Sequence, residues 1–346
     1  MRPLRFRAVC AVFAVALSVP VFAQAPATLT PQFVQESIES IGAVVRREYF
    51  DAEVGMQVET ALREGLSEGR FPNLVTAQDV AGALTLELYV LTHDKHLAVS
   101  VVQASARGGV AADNRADDVR RSNGGVQQAA ILPGNIGYLN LTSFWRPDEA
   151  REAIATAMHL LRNADALIID MRANLGGSPD TVAMVISYLF DSPGMPLFEI
   201  VHRSGPPDRY TTLTPAPPDR NEKRAVYILT SARTFSAGEG FAFLVQERHR
   251  AEVIGEVTAG AANPGQPYPV NDIFEVVVPN GQVKSAVGGG NWEGSGVKPD
   301  VAVAAGEALR VAHVRALTRL VSTTPPGAWR DRLQRELTAA ESLLGP

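Results

Sequence analysis

Two rhythms of apolar residues divide the chain. From about residue 30 to 93 the apolar positions recur at steps of three and four, the spacing of one helix face. Phe33, Val34, Ile38, Ile41, Val44 and Val45 form the first run. Met56, Leu62 and Leu66 form a second, and Val80, Leu84, Leu88 and Leu91 a third. Thr30 before Pro31, and Thr76 with Asp79 three residues on, are helix starts. The pattern predicts three helices in a small domain over residues 24–95.

Beyond Thr92-His93-Asp94-Lys95-His96 the apolar runs shorten to strand length. They occupy 96–102, 136–144, 166–172, 197–203, 225–231 and 251–256. Helical stretches over 147–163, 179–190 and 236–247 lie between several of them. Strands alternating with helices of this length predict βαβ units around a mostly parallel sheet, an α/β core over residues 132–305. The polar, glycine-bearing ASARGGVAADNRADDVRRSNGG reads as a linker, so 96–131 is expected to hold a connecting strand and a flexible loop. Asn280-Gly281 inside VVVPNGQVKSAV predicts a hairpin turn. Residues 306–346 read as a helical tail broken at 323–327.

The first 23 residues stand apart. Arg2, Arg5 and Arg7 precede an apolar run that ends in Val21-Phe22-Ala23. The run is interrupted by Pro20 and is shorter than the ~20 residues of a spanning helix. This is the pattern of a secretory signal cleaved near Ala23, and it predicts a periplasmic or secreted protein with no stable membrane insertion. The sole cysteine, Cys10, would leave with the signal. The remainder would have neither a disulfide nor a cysteine nucleophile.

At 346 residues, 46% hydrophobic and 20% charged, the composition is that of an ordinary globular protein. The net charge of −5 argues against a nucleic-acid partner. Only Lys95, Lys223, Lys284 and Lys298 are lysines, a scarcity that limits the available bases.

Four segments could carry chemistry. In AVYILTSARTFSAGEGFAF a buried strand ends at Ser231 and a helix opens near Ser236. A serine there lies beside free helix N–H groups, as in a nucleophile elbow, although Thr234 replaces the first glycine of that motif. A serine opening a helix is equally a simple N-cap. In IIDMRANLGGSPD, Gly176 and Gly177 before a helix could bring backbone N–H groups close to a ligand oxygen, or could serve a tight turn. No Lys-Ser/Thr follows, which excludes a phosphate-binding P-loop. His93 and His96 have the spacing of a metal pair, but no further His or Cys cluster completes a site. Neither metal nor cofactor is expected. In GGGNWEGSGVKPD, Glu293 reads locally as a solvated charge.

In order and spacing, these segments resemble the C-terminal-processing (tail-specific) serine peptidases. The matching landmarks are GNIGYLNLTSF, DMRANLGG, TSARTFSAGEGFAF, VIGEVTAGAANP and WEGSGVKPDV. The branch they resemble includes interphotoreceptor retinoid-binding protein and its bacterial relatives, to whose N-terminal domain residues 30–93 are also similar. The resemblance implies a helical domain packed on an α/β sandwich of ClpP/crotonase type. It implies Ser236 as nucleophile, an oxyanion hole from Gly176 or Gly177 with Ala237, and a peptide or protein substrate.

Two departures qualify it. The stretch between HLAVSVV and GNIGYL is too short for the family's tail-binding PDZ domain. The family's lysine base has no counterpart: Ala261 holds its place, and the next lysine after Ser236 is Lys284. The tricorn-protease core, a more distant relative, uses histidine and glutamate instead. By that likeness His96 is the base, with His93 the alternative, and Glu293 orients or supports the site. Two rival readings share the fold: a non-catalytic carrier of apolar, retinoid-like ligands, and a hydrolase of small esters.

Overall fold

In the computed structural model, which describes residues 28–102, 110–214 and 216–342, the sequence folds around three hydrophobic clusters. The leader predicted at 1–23 lies outside the described residues. Helices α1 (Pro31–Glu48), α2 (Ala52–Ser67) and α3 (Ala77–Thr92) begin where the caps place them. Thr30 Oγ1 accepts from Phe33 N–H, Asp51 Oδ1 from Glu53 and Val54, and Thr76 and Asp79 close a capping box. Val34, Ile38, Ile41 and Val45 pack with Val58, Leu62, Leu84 and Leu88.

These helices do not close their core alone. Leu97 and Val99, at strand β1 (Ala98–Val101), and Phe274, Val276 and Val278, at β10 (Phe274–Pro279), complete it. With β9 (Gly265–Pro269) these strands form an antiparallel sheet in the order β1-β10-β9.

The main sheet has six strands in the order β12-β8-β7-β4-β3-β2. They are β2 (Val126–Leu132), β3 (Ile136–Leu141), β4 (Ala166–Asp170), β7 (Ala225–Thr230), β8 (Glu252–Gly255) and β12 (Val301–Ala302). Every pairing is parallel except that of β2 with β3. Ala-Leu-Ile-Ile-Asp of β4 is buried throughout because both faces of the sheet are covered. Helices α5 (Pro147–Leu160), α6 (Pro179–Ile186) and α7 (Ala237–Gln246) cover one face. Helices α8 (Ala308–Thr323) and α9 (Ala328–Ser342) cover the other. Strands β5 (Pro196–His202), β6 (Asp208–Thr211) and β11 (Gly281–Ser285) make a third sheet, ordered β11-β5-β6.

Two expectations are corrected. The stretch read as a linker contains helix α4 (Val110–Arg121), and β2 begins within residues assigned to that linker. The helix has no apolar stripe for periodicity to find; charged pairs such as Asp117–Arg121, four residues apart, support it. The hairpin at Asn280-Gly281 is absent. There β10 leaves the first sheet and β11 enters the third, with Gly281 opposite His202. Glycine is required by close approach, since a Cβ at Gly281 would lie 2.5 Å from Ile200 Cγ2.

Candidate active site

Ser236 stands between β7 and α7 with φ 53° and ψ −124°, a conformation that favours glycine. The turn is held from both sides. Thr234 Oγ1 donates to Met171 O, and Phe235 N–H to Asn174 O. Ser236 N–H donates to Glu239 Oε2 at 2.8 Å. Glu239 is fully buried and also accepts from Thr258 Oγ1, Gly260 N–H and Ala261 N–H. Burial pushes its carboxyl pKa up against these four bonds. Glu239 thereby fastens the serine turn to the loop that carries Thr258, Gly260 and Ala261.

His96 arrives from the other core, in the turn between α3 and β1. Its Nε2 lies 3.0 Å from Ser236 Oγ, and its ring is 4.9 Å from that of Phe235. Asp94 organises this turn: Oδ1 accepts from His96 N–H at 3.0 Å. Its Oδ2 accepts from Tyr49 OH and from Asn263 Nδ2, each at 3.1 Å. Burial lowers the His96 pKa below the ordinary histidine value, with the Asp94 charge opposing. His93 is elsewhere. It ends α3 in the left-handed region at φ 57°, exposed, with its ring against Tyr89. The Lys95 ammonium donates to Ala259 O, across the two cores.

Glu293 is within the network but not hydrogen-bonded to the Ser-His pair. Its Oε2 accepts from Ala262 N–H at 2.6 Å and Asn263 N–H at 3.0 Å, while its buried Oε1 has no partner among the described residues. Burial, reinforced by the Asp94 charge, pushes its pKa up to about 7. The local reading of a solvated charge does not fit this burial.

The two glycines differ. Gly176 N–H donates to Asn174 Oδ1 at 2.8 Å, so it is engaged. Gly177 and Ala237 N–H have no partner among the described residues. A Cβ at Gly176 would come within 2.9 Å of Ala237 N, and one at Gly177 would overlap Phe144 O at 2.0 Å. Both positions require glycine. Beside Ser236 opens a cavity of about 50 Å³, lined by Val182, Phe198, Ile200, Leu244, Val283 and Trp292 among others, with no charged residue.

Sequence reasoning missed Glu239, Asp94, Asn263 and Tyr49. Glu239 had a signal, since Ser-x-x-Glu is a capping-box pattern. Asn263 and Tyr49 had none, because their partner Asp94 lies 169 and 45 residues away.

Residues 135–303 match the model of peptidase family S41. Residues 23–126 match the N-terminal domain of peptidase S41 in eukaryotic IRBP. The carboxy-terminal processing protease CtpB of Bacillus subtilis is 26% identical over 180 residues, 49% of this chain and 34% of that protein. A carboxyl-terminal-processing protease of Synechocystis is 32% identical over 131 residues, 37% of this chain and 29% of that protein. The chain thus spans about a third of the length of these curated relatives. A lipoprotein from Streptococcus agalactiae shares the fold with a TM-score of 0.56 at 16% identity, covering 87% of this chain and 100% of its own. With two adjacent models of one family matched along most of its length, the chain belongs to peptidase family S41.

Proposed function

We propose that the protein is an exported serine peptidase that cleaves peptide bonds through an acyl-enzyme, with Ser236 as nucleophile and His96 as base. The observation that carries this reading is the 3.0 Å approach of His96 Nε2 to Ser236 Oγ on a turn flanked by two free N–H groups. His96 Nε2 takes the hydroxyl proton as Oγ attacks the scissile carbonyl. The oxyanion is received by Gly177 and Ala237 N–H. The imidazolium then gives its proton to the leaving amine, and the same imidazole activates water to release the acyl group. A neutral imidazole is the competent form, and burial favours it.

Glu293 has a supporting role, shaping the loop at 262–263 and the electrostatics around Asp94. The uncharged cavity beside Ser236 suits a small apolar side chain next to the scissile bond. For a carrier that held its ligand beside Ser236, about 50 Å³ is far below the ~300–1,000 Å³ of drug-sized ligand pockets. Export rests on the basic and apolar leader with its Val-Phe-Ala site. Among the described residues no helix is long and apolar enough to cross a membrane.

A fluorophosphonate probe tests the site directly. Ser236 should be labelled in the wild type, with no labelling in Ser236→Ala and greatly slowed labelling in His96→Ala. Labelling unaffected by His96→Ala would overturn the base, and none in the wild type would overturn the peptidase. Matched amide and ester substrates separate a peptidase from an esterase.

A further inference from the structure

The proposed base has a ring nitrogen without a partner. When His96 accepts the serine proton through Nε2, its other nitrogen, Nδ1, carries a hydrogen. Nδ1 is buried and unpartnered. Two acceptor oxygens of the same network are also unpartnered, Asn263 Oδ1 and Glu293 Oε1. These three are half of the six such buried atoms among the described residues, so unmet hydrogen bonding concentrates here.

Asn263 sits at the junction, 3% exposed. Its Nδ2 donates to Asp94 Oδ2 at 3.1 Å, and its backbone N–H donates to Glu293 Oε2 at 3.0 Å. Through the Asp94 carboxylate, whose Oδ1 accepts from His96 N–H, it is two hydrogen bonds from the backbone of His96. The amide orientation follows from chemistry, since turning it over would set Oδ1 against the Asp94 carboxylate. Oδ1 is therefore left as a neutral acceptor. Glu293 enters the network only through the backbone of Ala262 and Asn263.

We propose that Asn263 is the positioning residue of the base, tying the His96 turn to the Glu293 loop and presenting its free Oδ1 to the Nδ1–H of His96 as the imidazole takes up the serine proton. This rests on the serine peptidase reading. Catalytic hydrogen bonds that are long in the free enzyme commonly tighten once substrate is bound. The charged group acting directly on His96 is Asp94; the other titratable groups of the network are Lys95 on the same turn, Tyr49 at the end of α1, Glu239 on α7, and Glu293.

The test is the fluorophosphonate labelling rate of Ser236 from pH 5 to 9, with kcat and KM, in the full chain and its variants, each checked for folding by thermal melting. Asn263→Ala should slow labelling and lower kcat by about 10–100-fold, the scale of losing a hydrogen bond to a charged group, with KM little changed. Asn263→Asp, of the same size, sets a further carboxylate by His96 and should move the acid limb of the profile to higher pH. Variants that melt earlier but keep the wild-type rate per folded molecule and the wild-type pH limb would overturn the inference. So would Glu293→Gln slowing labelling fully while Asn263→Ala does not, which assigns the acceptor to Glu293. Failure of the wild type to label is a different result: it removes the peptidase reading itself.

Discussion

Ser236→Gly should make the protein more stable than Ser236→Ala, although both should be inactive under the proposed mechanism. Ser236 holds φ 53° and ψ −124°, where a Cβ is disfavoured and glycine is not. Holding a side-chain-bearing residue in such a region costs about 1–3 kcal/mol. Glycine recovers that cost but gives back roughly 0.4–1 kcal/mol through the greater freedom of the unfolded chain. The difference between the variants is therefore about 1 kcal/mol in favour of glycine, some fivefold in the folded-to-unfolded ratio. Both variants lose the 3.0 Å contact to His96 Nε2, so it cancels from the comparison. Urea unfolding followed by fluorescence and circular dichroism measures the difference. Glycine no more stable than alanine would refute the claim that the elbow stores strain, and with it the trade of stability for nucleophile exposure.

Ser236→Ala and His96→Ala should each lower kcat/KM by roughly 10⁴-fold or more, with the double variant little worse because the pair acts as a unit. His93→Asn, at an exposed left-handed position that asparagine tolerates, should change neither kcat nor KM. The pH profile of kcat/KM should rise through an apparent ionisation below the ordinary histidine value, because burial outweighs the Asp94 charge at His96; a rise centred above that value would refute the assignment. Glu293, pushed up to about 7, contributes stability that is full below its unfolded pKa near ~4.3 and is lost as pH rises through about 7. Glu293→Gln should therefore gain in melting temperature on the wild type from pH 5 to pH 8, and a pH-independent difference would contradict the buried carboxyl. Ile200→Ala should enlarge the apolar cavity and move cleavage toward bulkier residues, read by comparing valine and phenylalanine substrates.

Legibility followed the range of the interactions. Helical steps made α1 to α3 visible, and at α1 and α3 so did the caps, because Thr30 and Thr76 act within a turn of their own helices. The buried strands β4 and β7 were visible as continuous apolar runs. Helix α4 was not, since a helix held by its own charged pairs presents no stripe. At Asn280-Gly281 a turn-forming dipeptide misled, because Gly281 answers the crowding of Ile200 and makes no turn. In the site, Ser236, His96 and Glu293 could be named from motifs, but no motif contains the 3.0 Å between two of them. That Gly176 N–H is consumed by Asn174, leaving Gly177, is likewise a matter of geometry alone.

The division of labour between the cores has a physical consequence. Ser236 belongs to the elbow between β7 and α7, whereas His96 follows the last helix of the smaller core. The loop bearing Thr258, Gly260, Ala261 and Asn263 binds Glu239 beneath the serine and Asp94 beneath the histidine. The chain then runs directly into β9 and β10, which complete the smaller core. Arg203 to the carbonyls of Arg46 and Arg47, and Lys95 to that of Ala259, add further ties across the junction. Since a misplacement of about 1 Å can cost 10²-fold in rate, the docking of the two cores is itself part of the alignment of Nε2 and Oγ. A substitution at this junction, far from substrate, should therefore act on kcat through the position of the proposed base, His96.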